Sequence, residues 1–272
     1  MYESYWQLTR KPFDATDDAN AYYPSETHQG AMLKLRYAVE SRRGAALLCG
    51  PSGTGKSLLL QTLRRQLPDS LLPFVHVVFP QMATAELLTH VADELGAPQG
   101  VGNRFGTDVA VRRIERFLAE NSKHGRHAIL AIDEAHLLAE TNALETLRLL
   151  LNFETQAQPG LTLVLCGQTS LLPVLARTPA LDERLTVKTL TRAFSAAETM
   201  SYIQHRLTAA GRAEQIFDAD AMDAVHQLSL GVPRAINRLC DLALLIGFAE
   251  ERSVLGADQI EAVHAEMIGV SA

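Results

Sequence analysis

The chain has 272 residues, of which 47% are hydrophobic and 21% charged, with a net charge of −6. That balance excludes a largely disordered protein and argues against a surface built as a whole to coat nucleic acid or an anionic membrane. There is room for one large domain, or for one medium and one small. No window holds the roughly 20 consecutive apolar residues that cross a bilayer, and the opening MYESYWQLTRKPFDATDD has no apolar leader region, so the expectation is a cytoplasmic chain without a membrane span. Cys49, Cys166 and Cys240 lie far apart without CxxC or Cys/His ligand spacing and read as buried thiols of a reducing compartment.

Five runs read as strands: AALLC (45–49), FVHVVF (74–79), AILAI (128–132), LTLVLC (161–166) and LTVKTL (185–190). Four of them lack alternation, which suits strands covered on both faces in a parallel sheet. Between them, residues 58–67, 86–95, 109–120 and 144–154 carry helical spacing, so the order is strand, helix, strand, helix: a doubly wound α/β core. After Leu190 only helices are expected, over 196–210, 219–228, 233–248 and 257–267. Ser195 with Glu198 forms a capping box, Asp218 is an N-cap, and Pro233 starts a helix. The expected organisation is therefore an α/β nucleotide domain over 1–192, including the N-terminal segment, and a helical domain over 193–272.

The first apolar run ends in GPSGTGKS, Gly50 to Ser57, and a helical stretch follows at once. This matches G-x-x-x-x-G-K-[ST], a pattern met by chance in roughly 1% of chains this long. Gly50, Gly53 and Gly55 permit backbone conformations in which successive N–H groups point inward at phosphate oxygens. The following helix N-terminus adds partial positive charge. Pro51, Ser52, Thr54 and Leu58 complete the candidate ATP contacts, Lys56 reaches toward the β and γ phosphates, and the Ser57 hydroxyl is a magnesium ligand. Asp133, directly after AILAI, is the acid expected to hold magnesium through water, and Glu134 the group that polarises the attacking water.

Asp133, Glu134, Ala135 and His136 also spell DEAH, a helicase tetrapeptide. Such a helicase needs two α/β domains with nucleotide between them, and only one fits in this length. The helical region instead carries GVPRAINRL, 231–239, whose G-x-P-R resembles the sensor-2 motif of AAA+ ATPases. The whole chain resembles the ATPase domain of the general secretion pathway protein A family. The matching stretches are YWQLTRKPFD, YYPSETHQGAMLKLRYAV, GPSGTGKS, AIDEAHLL, ALETLRLLLNFET, LVLCGQTSLLPVL, ALDERL and GVPRAINRLCDLAL.

That resemblance implies a P-loop fold with a five-stranded parallel sheet and a C-terminal helical lid, and it implies roles for further residues. Gln168 resembles the sensor-1 residue that orients water or touches the γ-phosphate. Arg184 sits where such ATPases carry an arginine finger that reaches into a neighbouring subunit, and Arg177 is a second candidate. Arg234 resembles the sensor-2 arginine acting within its own subunit. Tyr22, Tyr23 and Pro24 fall near the family's adenine position, although packing is an equal reading. Arg104 and Phe105 lie in a loop, GVGNRFG, that reads as a connector or a partner contact, and His136 as a positioner of the loop after the acids or a solvated residue.

The resemblance further implies ATP and magnesium as cofactors, a homo-oligomer with ATP at its subunit interfaces, and a membrane-associated protein partner in a secretion- or pilus-type machine. Longer members continue into a transmembrane helix and a peptidoglycan-binding module, so the chain is expected to be either a cytoplasmic fragment or a short member. The alternative is a DNA-binding transposition or target-selection regulator, with Arg42-Arg43, Arg64-Arg65 and Arg112-Arg113 as its basic clusters. A scaffold without turnover is disfavoured, because every hydrolytic position is filled.

Overall fold

A computed structural model describes residues 1–14, 22–98, 106–155, 158–212 and 214–269. The chain divides into two compact units: a sheet unit of Thr27–Pro51 and Leu59–Thr191, and a helical unit of Met1–Glu26, Ser52–Leu58 and Arg192–Ala272.

In the sheet unit, β1 (Ala45–Cys49), β2 (Phe74–Val77), β3 (Ala128–Ile132), β6 (Leu161–Gly167) and β7 (Leu185–Leu190) form one parallel sheet in the order β2-β3-β6-β1-β7. β1, β3 and β6 are buried along their whole length. Their apolar runs are thus the signature of strands covered on both faces. β7, at an edge, alternates between buried and exposed positions, which is why its sequence alone includes Thr and Lys in a regular pattern. Leu87, Leu88 and Val91 of α3 (Thr84–Glu94) and Ile114 and Leu118 of α4 (Thr107–Lys123) close the core over Val75, Leu130 and Leu163. Each such leucine or isoleucine contributes about 1.5–3 kcal/mol by leaving water.

Three elements differ from the sequence expectation. β2 ends at Val77, and Val78 and Phe79 are 65% and 63% exposed. Pro80 follows, and a proline both restricts its predecessor and removes a ladder donor at this sheet edge. The helix expected to reach Glu154 stops earlier: α5 is Ala143–Leu150, and Glu154–Thr155 (β4) instead pairs antiparallel with Gln158–Pro159 (β5). A further helix, α1 (Glu26–Glu40), was not legible as one. Its buried stripe of Ala31, Met32, Leu35, Ala38 and Val39 is interrupted by exposed Leu33 and Tyr37.

The helical unit contains α8 (Ala196–Ala209), α9 (Ala219–Ser229), α10 (Pro233–Ala249) and α11 (Ala257–Gly269). The Ser195 hydroxyl accepts from the Glu198 N–H while the Glu198 carboxylate accepts from the Ser195 N–H, and Asp218 caps α9 through the Ala221 N–H. The N-terminal segment, expected with the sheet, groups with these helices instead. Trp6 is 3% exposed and donates its indole N–H to Leu244 O at 2.9 Å; Tyr2, Leu8 and Phe13 are buried in the same cluster. The buried Arg206 guanidinium donates to the carbonyls of Pro12 and Asp14, which fastens the segment further. The reason is tertiary, since four large apolar side chains in 13 residues have no core of their own to enter. All three cysteines are buried, and none is in a disulfide. Among the described residues no helix is long and apolar enough to cross a membrane.

Two outcomes follow. Trp6→Ala should destabilise the helical unit by about 3–5 kcal/mol, through lost burial and the cavity left behind. Chemical denaturation followed by circular dichroism measures this, and a loss below about 1 kcal/mol would remove the segment from the core. The second outcome concerns acid. His127, 3% exposed, has Nε2 at 2.9 Å from Thr162 Oγ1, and that hydroxyl itself donates to Arg43 O. Burial, and then the charge of Arg42, pushes the His127 pKa down from 6.5 to about 4. The unfolded chain therefore takes up this proton below pH ~6.5 while the folded chain does not. The stability is complete above that pH and is lost as pH falls toward about 4, on the order of 3 kcal/mol in all. Unfolding free energies measured across this window should slope less steeply in His127→Gln; an unchanged slope would contradict the assignment.

Candidate functional site

Parallel pairing aligns Cys49 of β1 with Gly167 of β6, and Ile132 of β3 with Leu165 of β6. The residues that follow these three strands, Gly50, Gln168 and Asp133, therefore emerge at one edge of the sheet. The Gly50 N–H donates to Gly167 O at 3.2 Å, tying two of the exits together.

Asp133 is buried. Its Oδ1 accepts from the Glu134 N–H at 2.9 Å, and its Oδ2 faces His76 Nε2 at 3.4 Å. His76 was passed over in the sequence, being the one polar residue inside an apolar run. The signal lies in the register: His76 pairs with Ala131, two residues before Asp133 on the neighbouring strand. Glu134 adopts a left-handed backbone conformation, φ 50°, ψ 34°, and turns the chain into a short 3-10 helix at Ala135–Leu138. For a residue with a side chain that conformation costs about 1 kcal/mol, and strain of this kind concentrates at functional positions. His136 Nδ1 stands 3.3 Å from Glu134 Oε2 and 3.4 Å from the Gln168 N.

From Gly50 and Pro51 the chain runs into Ser52–Leu58, which groups with the helical residues. Gly53 and Gly55 have φ of 79° and 84°, conformations open to glycine. A Cβ on Gly53 would also stand 3.0 Å from both Arg234 Cβ and Val232 Cγ1. Arg234, in the first turn of α10, donates its backbone N–H to Gly53 O at 3.2 Å and its guanidinium to Ser52 Oγ at 3.4 Å. Within the helical unit the structure thus brings Arg234 onto the glycine loop. Thr54 and Lys56 are buried, Ser57 is exposed, and α2 (Lys56–Gln66) begins at the lysine, so the positive end of its dipole lies at the loop. A nucleotide fits this loop, whose Gly53 and Gly55 take backbone conformations that side chains rarely adopt; the Ser57 hydroxyl beside it and, in the sheet unit, the Asp133 carboxylate are each the kind of hard oxygen donor magnesium takes.

The arginines divide. Arg184 precedes β7, whose first residue pairs with Ala45 at the start of β1; it lies at the opposite end of the strands from Gly50. Its exposed guanidinium donates to Asn152 Oδ1 at 2.9 Å. Arg177 caps α6 (Leu171–Ala176), is exposed, and donates to Pro173 O. Arg238 is exposed one turn beyond Arg234. Tyr23 packs edge-on against Phe194 and Tyr202 in the helical unit, and burial raises the Tyr22 pKa. Arg104 and Phe105 lie outside the described residues. Among the basic pairs, Arg113 is taken up by Asp93 and by the carbonyls of Ala97 and Pro98. Arg42 and Arg64 border separate clefts that share Arg126.

A family model described as an AAA domain matches residues 39–175. The chain is 32% identical to General secretion pathway protein A of Aeromonas hydrophila over 99% of its own length and 49% of that protein's, so it spans about half of that relative. Among solved structures, the Aeropyrum pernix ORC2 protein superimposes with a TM-score of 0.70 at 14% identity, covering 94% of this chain and 71% of that one. Drosophila ORC bound to DNA gives 0.71 at 17% identity, with 97% and 66% covered. The Thermotoga maritima RuvB Holliday junction branch migration motor gives 0.59 at 18%, with 88% and 68% covered. At these identities the structural matches speak for the fold alone. With the family model spanning half of its residues, from the end of α1 through the glycine loop and the paired acids to α6, the chain belongs to the AAA domain family.

Proposed function

We propose that the chain is an ATP hydrolase whose nucleotide state drives the assembly or remodelling of a protein partner. The observation that carries this reading is the shared sheet edge at which β1 ends in the glycine loop, β3 in Asp133-Glu134 and β6 in Gln168. Backbone N–H groups of 52–58 and the Lys56 ammonium hold the phosphates. Ser57 and Asp133 would hold magnesium, which would supply charge neutralisation for the phosphates. Glu134 polarises the attacking water, Gln168 orients it, and Arg234 reads the phosphates from within the same subunit. The hydrogen bonds of Arg234 to the loop support that last role.

Arg184 acts on another subunit. The six residues of β7 separate it from the edge that carries its own Gly50, roughly 20 Å at the rise of an extended strand, too far for a side chain to span. An exposed guanidinium there suits a trans-acting finger in a homo-oligomer with ATP at its interfaces; Arg177 is the second candidate. The likeness to General secretion pathway protein A supports a partner that belongs to a secretion machine; that this partner is membrane-associated and met from the cytoplasm is part of the proposal.

Glu134→Gln should keep ATP binding and lose about 10²-fold or more in turnover, because the amide retains shape without a carboxylate's ability to take a proton. Lys56→Ala should weaken ATP binding itself. Titration with a fluorescent nucleotide and a phosphate-release assay separate the two; turnover within a few fold of the parent in Glu134→Gln removes that role.

Loss of Arg184 should cost about 10³-fold, as for other arginine fingers, and specific activity should rise with protein concentration. Mixing Arg184→Ala with Glu134→Gln should restore activity, since some interfaces then pair a sound pocket with a sound finger. Arg234→Ala mixed with Glu134→Gln should recover nothing. Failure of the first mixture despite co-assembly, repeated with Arg177→Ala, would make the protein a switch without a trans-acting finger. Stimulation of turnover by duplex DNA would move the reading to a DNA-directed regulator.

A further inference from the structure

β2 is an edge strand of the parallel sheet. The N–H groups of Ile129 and Asp133 donate to Pro73 O and Val77 O, and Phe74 and His76 stand in register with Ile129 and Ala131. Main-chain groups alternate in direction along a strand, so the N–H and C=O of Phe74, His76 and Val78 point away from β3. No described residue bonds to them. Beside this edge lies a cleft of about 440 Å³. Leu95 and Phe117 give it an apolar wall, and Arg64 and Arg126, both exposed, stand at its margin. Neither guanidinium has an ion pair or a hydrogen bond among the described residues, and Glu94 is the acid in the lining. The two sides of the edge differ. α3 and α4 pack on the face of Val75 and Val77, whereas Leu59, Leu60 and Leu63 of α2 are buried outside that cluster, so α2 covers the other face. Leu95 and Phe117 thus flank β2 on one side and Arg64 on the other.

We propose that the open edge of β2 is a docking site for an extended segment of a partner protein in which apolar and acidic residues alternate. The segment's backbone adds a strand beside Phe74, His76 and Val78. Its side chains alternate between faces and so meet Leu95 and Phe117 on one side and the Arg64 guanidinium on the other. Arg126 receives a further carboxylate at the start of the edge, where the next residue, His127, donates its N–H to Ser70 O. A guanidinium without a partner beside an apolar wall selects carboxylate oxygens, to which it can offer two parallel bonds. Pro73 and Pro80 flank the edge and have no N–H to offer, which limits the added strand to about five residues and suits one peptide segment rather than a second sheet. His76 takes part through its main chain alone. Docking here stands whether or not the chain hydrolyses ATP.

The probe is an end-capped synthetic peptide of alternating valine and glutamate, about seven residues long. Added to the whole chain, it should slow hydrogen exchange at the Phe74, His76 and Val78 amides about tenfold or more, and leave the Ile129 amide, already bonded, as it was. A peptide with lysine in place of glutamate, or one N-methylated throughout, should bind about tenfold more weakly or not at all. Replacing both arginines, Arg64→Ala with Arg126→Ala, should weaken binding of the glutamate peptide about tenfold or more and keep ATP turnover within about twofold of the parent. Val78→Pro removes an N–H that has no bond in the fold, so it should preserve stability and weaken binding to a similar degree. Unchanged exchange at the three amides with about 1 mM peptide would overturn the proposal. So would a lysine or N-methylated peptide that binds as well, or a double arginine variant that binds as tightly as the parent. Protection of the same amides that grows with protein concentration, without peptide, would make a second copy of the chain the occupant and overturn it too.

Discussion

β3, β6 and β1 run side by side in the same direction, so whatever follows each of them must leave the sheet at the same edge. The rest of the structure depends on that constraint. Residues 50, 133 and 168, far apart in the chain, meet there without any long side chain having to reach. Full burial of the three strands makes the arrangement stiff, because each backbone group is committed to the ladder and each side chain to the core. The same constraint sends Arg184 to the opposite edge, since it precedes a strand of the same sheet and direction. A residue before a parallel strand of this length and a residue after one lie too far apart to serve one nucleotide, and this is the physical reason for proposing that Arg184 serves a neighbouring subunit.

Much of this was legible in the sequence, because the informative signals are local. AALLC, AILAI and LTVKTL have the extents of β1, β3 and β7, and the first two runs end at a glycine and an aspartate. The glycine loop is written in eight consecutive residues. The caps at Ser195 and Asp218 depend on neighbours three positions away. The family resemblance agrees with the AAA domain match and with the likeness to General secretion pathway protein A.

What escaped is non-local. Trp6 binds to a carbonyl 238 positions away, and nothing in its neighbourhood announces that partner. His76 meets Asp133 only through strand register, and His136 Nδ1 has the Gln168 N at 3.4 Å only because β6 returns beside β3. α1 was hidden by exposed apolar residues that blur its periodicity, and the β4–β5 hairpin by its two-residue strands. The positions of the candidate site residues were thus readable from motifs, whereas the contacts that tune them were not.

Glu134 draws these points together. Its strained backbone directs the carboxylate toward His136 and lies next to an acid already held by two neighbours. Backbone strain of this kind concentrates at functional positions, which fits the role proposed for Glu134. The most direct measurement is a crystal structure of the chain with a non-hydrolysable ATP analogue and manganese in place of magnesium, the cation located by its anomalous signal. The account predicts phosphates on the N–H groups of 52–58, manganese beside Ser57 and Asp133, and a water between Glu134 and the terminal phosphate. Nucleotide bound elsewhere, or a cation remote from both Ser57 and Asp133, would contradict it.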